Sequence, residues 1–177
     1  MRGDIANDCL VSVDGTDFRI EQRGRKFFSH KFKGSGLRYE VAISILCGEI
    51  VWVNGPYPPG RYNDLMVFRD SLMSILEDGE RVEADDGYLG EAPKFVKCPA
   101  SVTARPECLA MQKRVRSRQE TVNLRFKMWN ILSDRFRHDI SMHGDVVIAI
   151  AVFTQLVSIE AGEPLFSVNY CDDNPSV

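Results

Sequence analysis

Apolar and polar residues alternate at CLVSVD (9–14) and again at LRYEVAISILCGEIVWVNGP (37–56), where a tight turn around Gly48 divides the longer run in two. A period of two is typical of half-buried strands, so these stretches predict three antiparallel strands. The later runs RVEAD (81–85) and KFVKCP (94–99) predict two more. Because a helical pattern separates the two groups, the sequence predicts an α/β fold with a mixed five-stranded sheet flanked by helices.

The segment between the two groups of strands, DLMVFRDSLMSILEDG (64–79), has apolar residues at helical spacing. Asn63 or Asp64 is placed to cap the start of this helix, and Gly79 to end it. Farther on, Pro106 can begin a long helix that reaches about His138, in one piece or broken. Its apolar stripe comprises Val122, Phe126, Trp129, Leu132 and Phe136.

A last apolar helix, at about 141–159, is predicted to complete the core. Its longest wholly apolar run, VVIAIAVF (146–153), is far shorter than the roughly 20 residues that cross a bilayer, which argues against a transmembrane helix or a membrane partner. The first ten residues contain no apolar signal segment, so we expect an intracellular protein. A length of 177 residues with 44% apolar content predicts one globular domain over 1–177.

Charge is unevenly distributed, although the net charge is only -3. Two basic islands interrupt an otherwise acidic chain. The first comprises Arg19, Arg23, Arg25, Lys26, Lys31, Lys33 and Arg38. The second comprises Lys113, Arg114, Arg116, Arg118, Arg125, Lys127, Arg135 and Arg137. Such islands attract phosphate backbones, but a solvated protein face is a commoner cause of a charge run, so the islands alone leave both interpretations open.

Three acids stand at predicted element ends or on a helix face: Asp14 after the first strand, Asp85 after RVEA, and Glu120 on the long helix. Two-metal phosphoryl transfer needs several carboxylate oxygens around a pair of divalent ions. With 25 acidic residues in the chain, however, spacing alone is weak evidence. The five cysteines and three histidines show no zinc-ligand spacing.

The sequence around these acids is more specific. The segments VDGTDFRI, GRYNDLMVF, ADDGYLG and RQETVNLRFK follow one another in this order. The chain resembles, from about residue 8 to 170, the DDE endonuclease domain of Harbinger/PIF-type transposases, which are related to certain bacterial insertion-sequence transposases. That family carries Asp-Gly at its first strand, Asp-x-Gly-Tyr, and a Glu followed seven residues later by Lys. Glu120 and Lys127 keep that interval.

The resemblance implies a ribonuclease H-like fold with Asp14, Asp85 and Glu120 as the catalytic, metal-binding triad. It also implies two magnesium or manganese ions, DNA as substrate, and endonuclease and strand-transfer activity without a covalent enzyme intermediate. Asp85 takes the family's aspartate position, so Asp86 is interpreted as a turn residue. An intracellular, nuclear location follows from the same resemblance.

Three further residues are candidates for supporting roles. Asp64 can support the metal site or simply cap a helix, and both alternatives stay open. Arg116 and Lys127 can contact phosphate, although Arg116 with Glu120 also has the spacing of an ordinary surface pair.

Because only about eight residues precede the resemblance, we expect no separate DNA-binding domain in this chain. A separate DNA-binding domain or protein would then be the partner, and a homo-oligomer is possible. The alternative function is that of a domesticated or truncated transposase-derived domain that binds DNA or protein without cutting.

Overall fold

The computed structural model describes residues 9–101 and 106–160, apart from the side chains at 106–108, 111, 159 and 160. Within these ranges the strands are β1 Cys9–Arg19, β2 Phe28–Ser29, β3 Gly34–Ser44, β4 Ile50–Tyr57, β5 Arg81–Glu83 and β6 Val96–Lys97. The helices are α1 Asp64–Asp70, α2 Pro106–Lys127, α3 Asn130–Ser133 and α4 His143–Glu160. Short 3-10 turns lie between several of these elements.

The strands form one mixed sheet in the order β2-β3-β1-β5-β6, and β4 also pairs with β3. β1, β3 and β4 pair antiparallel, whereas β5 lies parallel to β1 and β6 parallel to β5. The predicted α/β class with a mixed sheet is therefore confirmed. The predicted number of five strands is wrong, because the two-residue strand β2 is too short to show alternation in the sequence.

Strand β1 extends five residues beyond the predicted end at Asp14. The sequence pattern breaks at Asp17, a charged residue that is only 4% exposed. The Arg38 guanidinium makes this burial possible, since its Nε and Nη2 donate to the two Asp17 carboxylate oxygens at 2.8 and 3.0 Å. A buried charge is tolerated when it is paired and hydrogen-bonded. The pairing with Arg38, 21 residues away, therefore allows β1 to continue through Asp17.

Side chains that alternate along the strands build a core on each face of the sheet. Helix α1 covers one face, in a core comprising Val13, Ala42, Phe68, Leu72, Val82, Ala84, Tyr88, Val96 and Cys98. Helices α2 and α4 cover the other, in a core that includes Phe18, Tyr39, Val41, Ile43, Val122, Phe126, Val147 and Ile150. The acids of interest lie where α2 crosses β1 and β5.

Helix α1 begins as predicted, with Asn63 as its cap: Asn63 Oδ1 accepts from the Met66 backbone N–H at 2.8 Å. It ends at Asp70 and not at Gly79. The Ser71 hydroxyl oxygen lies 2.7 Å from both the Val67 carbonyl and the buried Glu40 carboxyl, and it can donate its one hydrogen to either; the chain then continues as a 3-10 turn.

Helix α2 begins at Pro106 as predicted but ends at Lys127, well before 138. The following residues form the short helix α3 and then an extended segment, in which the Phe136 N–H donates to the Arg19 carbonyl at 2.9 Å. Four of the five predicted stripe residues are buried, and Trp129 is the exception at 41% exposed. It stacks on Phe153 with ring centroids 6.0 Å apart.

Helix α4 completes the core only in part. Val147, Ile150 and Ala151 pack inside, whereas the opposite apolar face is exposed at Ile148, Val152, Phe153, Leu156 and Val157. Contrary to the prediction from the shorter apolar run, the 19 residues Ile140–Ser158, with a mean hydropathy of 1.7, are long and apolar enough to cross a membrane. Core helices satisfy the same criterion, so this is weak evidence for a membrane span.

Candidate functional site

Two neighbouring parallel strands bring the predicted acids together. Ser12 on β1 is the register partner of Glu83 on β5. Asp14 and Asp85 each lie two residues after one of these partners, on the same face of the sheet. Helix α2 crosses this face and contributes Glu120. Asp14, Asp85 and Glu120 all line one cavity of about 70 Å³, which we call the acidic cavity.

The two adjacent aspartates have different surroundings. Asp85 is partly buried and lines the acidic cavity, and its Oδ1 accepts from the Gly87 backbone N–H at 2.8 Å. Asp86 is exposed, and its Oδ1 accepts from the Ala100 backbone N–H at 2.9 Å. Of the two carboxylates, only Asp85 lines the cavity with Asp14 and Glu120.

Asp14 is held in an environment that favours its protonated form. Burial raises the pKa of its carboxyl, and the nearby carboxylates of Asp64 and Asp85 raise it further, while Lys31 opposes them. The Asn123 amide donates to Asp14 Oδ2 at 3.0 Å and orients it. Asn123 was not predicted as a site residue from the sequence, although its position three residues after Glu120 places both on one helix face.

Asp64 lies beside this site and does not line the acidic cavity. Its carboxylate lies 3.3 Å from Arg38 Nη1 and 4.0 Å from Lys31 Nζ. A Cβ atom on Gly15 would approach Asp64 Oδ1 to 1.9 Å, so only glycine permits this position. Lys31 Nζ also donates to the Gly15 carbonyl, which places a cation among the acids. From the sequence, Lys31 was predicted only as a member of the first basic island.

The donor types of the acidic cavity suit a hard divalent cation, which prefers carboxylate and carbonyl oxygens. The raised pKa of Asp14 supports this fit, because burial and then the nearby carboxylates of Asp64 and Asp85 disfavour its charged form, which a cation would stabilise. Within 9–101 and 106–160, no three His, Cys, Asp or Glu side chains are close enough to hold one ion as they stand. The donor chemistry therefore fits a metal, while a closed coordination sphere needs the carboxylates to move together.

The acidic cavity adjoins a wider groove. Asp14 and Glu120 also line this site groove, which has a volume of about 590 Å³ and includes Lys127. Arg116 lines the acidic cavity. The predicted supporting residues thus divide between two adjoining spaces: Lys127 lines the site groove, and Arg116 lines the acidic cavity beside the acids.

The site groove continues into a second, larger one. Arg19 and Phe32 line both, and the Arg19 guanidinium lies 5.0 Å from the Phe32 ring centroid. The larger space, about 1120 Å³, is the basic groove. Its lining includes the charged or basic residues Arg19, Glu21, Arg23, Arg25, Lys26, His30, Lys33, Arg61 and Arg135.

The two basic islands therefore differ in position. Most of the first lines the basic groove, whereas the second is dispersed. Arg135 reaches the basic groove, while Arg118 is buried and donates to the Ile45 carbonyl at 2.8 Å. The sequence does not show which basic residues line a groove and which are buried, because burial depends on the tertiary packing of α2.

The buried Glu40 carboxyl gives the protein a pH-dependent stability. It is 1% exposed, and burial raises its pKa from 4.5 to about 7 despite the hydrogen bond from Ser71. Because the folded state then holds a proton that the unfolded state releases, this stability is present below pH 4.5 and lost as pH rises through about 7. Glu83, whose pKa burial also raises to about 7, acts in the same direction.

We expect Glu40→Gln to flatten the pH dependence of stability. The glutamine has no proton to release, so the loss of unfolding free energy with rising pH should shrink by up to a few kcal/mol. Urea denaturation of both proteins across this pH range measures the difference. Parallel curves for wild type and variant would contradict the assignment.

Comparison with known proteins shows a similarity to a transposase. The chain is 30% identical over 142 residues to a protein of Microchaete diplosiphon described as "Probable transposase for insertion sequence element IS702". The match covers 73% of this chain and 50% of that protein, so the chain spans about half the length of this relative. No family model and no solved structure matches the chain.

Proposed function

We propose that this chain is a transposase-type domain, a metal-dependent DNA endonuclease and strand transferase of the DDE class. The observation that carries the proposal is the convergence of Asp14, Asp85 and Glu120 on one cavity. The adjoining site groove and basic groove offer a path for a phosphate backbone. The similarity to an insertion-sequence transposase supports the same function, although it covers only half of that protein.

In this proposal Asp14, Asp85 and Glu120 hold two magnesium or manganese ions. Such ions, when bound, activate a water or a DNA 3'-hydroxyl and stabilise the leaving oxygen. Asp14 would be a ligand in this set, and the Asn123 amide orients its carboxylate. Lys127 in the site groove binds a backbone phosphate beside the cut. Attack is direct, with no covalent enzyme intermediate.

Asp64 acts from outside the cavity. Arg38 and Lys31 hold its carboxylate next to Gly15, where its negative charge raises the pKa of Asp14. A carboxylate whose charged form is disfavoured by neighbouring negative charge gains more from a bound cation, because the cation offsets that repulsion. Asp64 therefore strengthens the requirement for an ion at Asp14 without itself being a ligand.

A ribonuclease H-like fold is part of the proposal. Three antiparallel strands followed by the parallel strands β5 and β6, with helices on both faces, support it. DNA is the substrate, and a separate DNA-binding domain or protein and a second copy of the chain are the expected partners. An intracellular, nuclear location stays a prediction.

Nicking of supercoiled plasmid in the presence of magnesium or manganese tests the proposal. We expect the wild type to nick and Asp14→Asn to lose at least about a hundredfold in rate, since changes even behind a metal ligand cost 10- to 100-fold. Asp70→Asn, an exposed change on α1, is the matched control and should nick normally. Wild-type protein that binds DNA without nicking would favour the alternative, a transposase-derived domain that binds without cutting.

A further inference from the structure

Glu83 is an unexplained carboxyl in the acidic cavity. It is 2% exposed and lines that cavity together with Asp14, Asp85 and Glu120. Its position follows from the strand geometry, because Glu83 precedes Asp85 by two residues and so shares its face of the strand. Its register partner across the parallel pairing is Ser12, which lines the same cavity.

Several oxygen atoms around Glu83 are buried without a hydrogen-bond partner. Among the described residues, both Glu83 carboxylate oxygens, Ser12 Oγ and Gln119 Oε1 are in this state. The Gln119 amide nitrogen donates to the Val41 carbonyl at 2.6 Å, which fixes the orientation of the amide. All three side chains line the acidic cavity.

Among the described residues, no positive group donates a hydrogen bond to this carboxylate. Lys97, opposite Glu83 in the register of β5 and β6, is near enough to lower its pKa, yet neither Glu83 oxygen accepts a hydrogen bond. Arg116 lines the cavity, but it too makes no hydrogen bond to Glu83. An unpaired buried carboxylate is unfavourable, so the site favours a ligand that brings positive charge or hydrogen-bond donors.

The size of the cavity restricts that ligand. A water molecule occupies about 30 Å³ in the liquid, and the cavity measures about 70 Å³. This small space admits a cation or a few water molecules and leaves little room for a large organic ligand. Oxygen atoms from a carboxylate, a hydroxyl and an amide are the ligands of a hard divalent cation.

We propose that Glu83 is a further metal ligand and that, with Ser12 and Gln119, it holds a divalent cation in the acidic cavity beside Asp14 and Asp85. This inference rests on the proposed metal-dependent function and adds a fourth carboxylate to its three acids. Glu83 is more buried than Asp85, and unlike Asp14 and Glu120 it does not line the site groove.

Manganese binding to the purified full chain, measured by equilibrium dialysis and by thermal melting, tests Glu83. We expect Glu83→Gln to weaken manganese binding at least tenfold and to lose most of the metal-induced rise in melting temperature. Without metal the variant should melt at or above the wild-type temperature, because an unpaired buried charge has been removed. A purely structural glutamate would instead leave manganese binding unchanged.

Glu40→Gln is the matched control. Glu40 is equally buried, but Ser71 donates to it and it lies outside the cavity lining. This variant should keep wild-type manganese affinity. Should Glu83→Gln fail to fold, Ser12→Ala removes a single ligand oxygen, and we expect weaker manganese binding. Unchanged affinity in the alanine variant, or in a folded Glu83→Gln protein, would overturn the inference.

Asp14→Asn separates this inference from the proposed function. Loss of manganese binding in Asp14→Asn but not in Glu83→Gln overturns the role of Glu83 and leaves the triad standing. Loss in Glu83→Gln alone supports the role of Glu83 and contradicts the triad. A wild-type chain that binds no manganese contradicts both.

Discussion

Asp85→Asn is expected to abolish metal-dependent plasmid nicking, whereas Asp86→Asn should leave it nearly unchanged. Asp85 lines the acidic cavity, and an asparagine there offers an oxygen without the charge that balances a divalent ion. Its amide oxygen can still accept from the Gly87 N–H, so the local turn should survive. We therefore expect loss of activity together with loss of manganese-induced stabilisation in a folded protein.

Asp86→Asn serves as the control because it makes the same chemical change one residue away. Its carboxylate is exposed and accepts from the Ala100 N–H, so the substitution should cost on the order of 1 kcal/mol at most. Plasmid nicking and manganese-dependent melting of both variants test this contrast between Asp85 and Asp86. If Asp86 is essential and Asp85 dispensable, the register at the end of β5 has been misassigned by one residue.

Reversing two charges in the basic groove is expected to weaken duplex DNA binding and to reduce its salt dependence. Arg23 and Lys26 are exposed and line that groove. Each phosphate contact contributes about 0.9 to the slope of log affinity against log salt, so Arg23→Glu with Lys26→Glu should lower the slope by roughly 2. Fluorescence anisotropy of a labelled duplex at several salt concentrations measures both quantities.

A control with the same change in net charge is available. Lys26 lies over the ring of the following Phe27 at 4.8 Å, and Lys94 lies over the ring of the following Phe95 at 4.6 Å. Lys94 and the exposed Lys113 are outside the basic groove. Lys94→Glu with Lys113→Glu should therefore weaken binding only slightly. Equal losses in the two double variants would mean that net charge, and not the groove, governs binding.

The same measurement extends to Lys127, which lines the site groove. Contacts to phosphate carry no base information, so the groove variants should lose affinity for all duplex sequences alike. Loss confined to one sequence would indicate base readout in these grooves.

Several features follow from the sequence by itself, because they depend on neighbouring residues. Asn63 caps α1 through its own side chain, and Pro106 begins α2 with a fixed φ angle and no need of an N–H donor. The alternation of apolar residues predicted the antiparallel strands that open the sheet. These elements are local, so a short window contains most of the information that forms them.

Other features were decided only by the tertiary structure. Strand β1 continues past Asp14 because the distant Arg38 neutralises Asp17, and no local pattern contains that pairing. Helix α2 ends at Lys127, and beyond α3 the Phe136 backbone pairs with the end of β1, which is a long-range contact that the helical stripe in the sequence does not show. The exposure of one apolar face of α4 likewise depends on which side packs against the sheet.

The residues of the candidate site likewise divide into those that the sequence predicted and those that only the tertiary structure revealed. Motifs in the sequence selected Asp14, Asp85 and Glu120, each from its immediate neighbours, and the fold brings them to one cavity. Glu83 had no motif of its own and looked like an ordinary strand residue. Its burial opposite Ser12 follows from the register of two parallel strands about 70 residues apart in the chain, which is a long-range pairing that local sequence patterns do not encode.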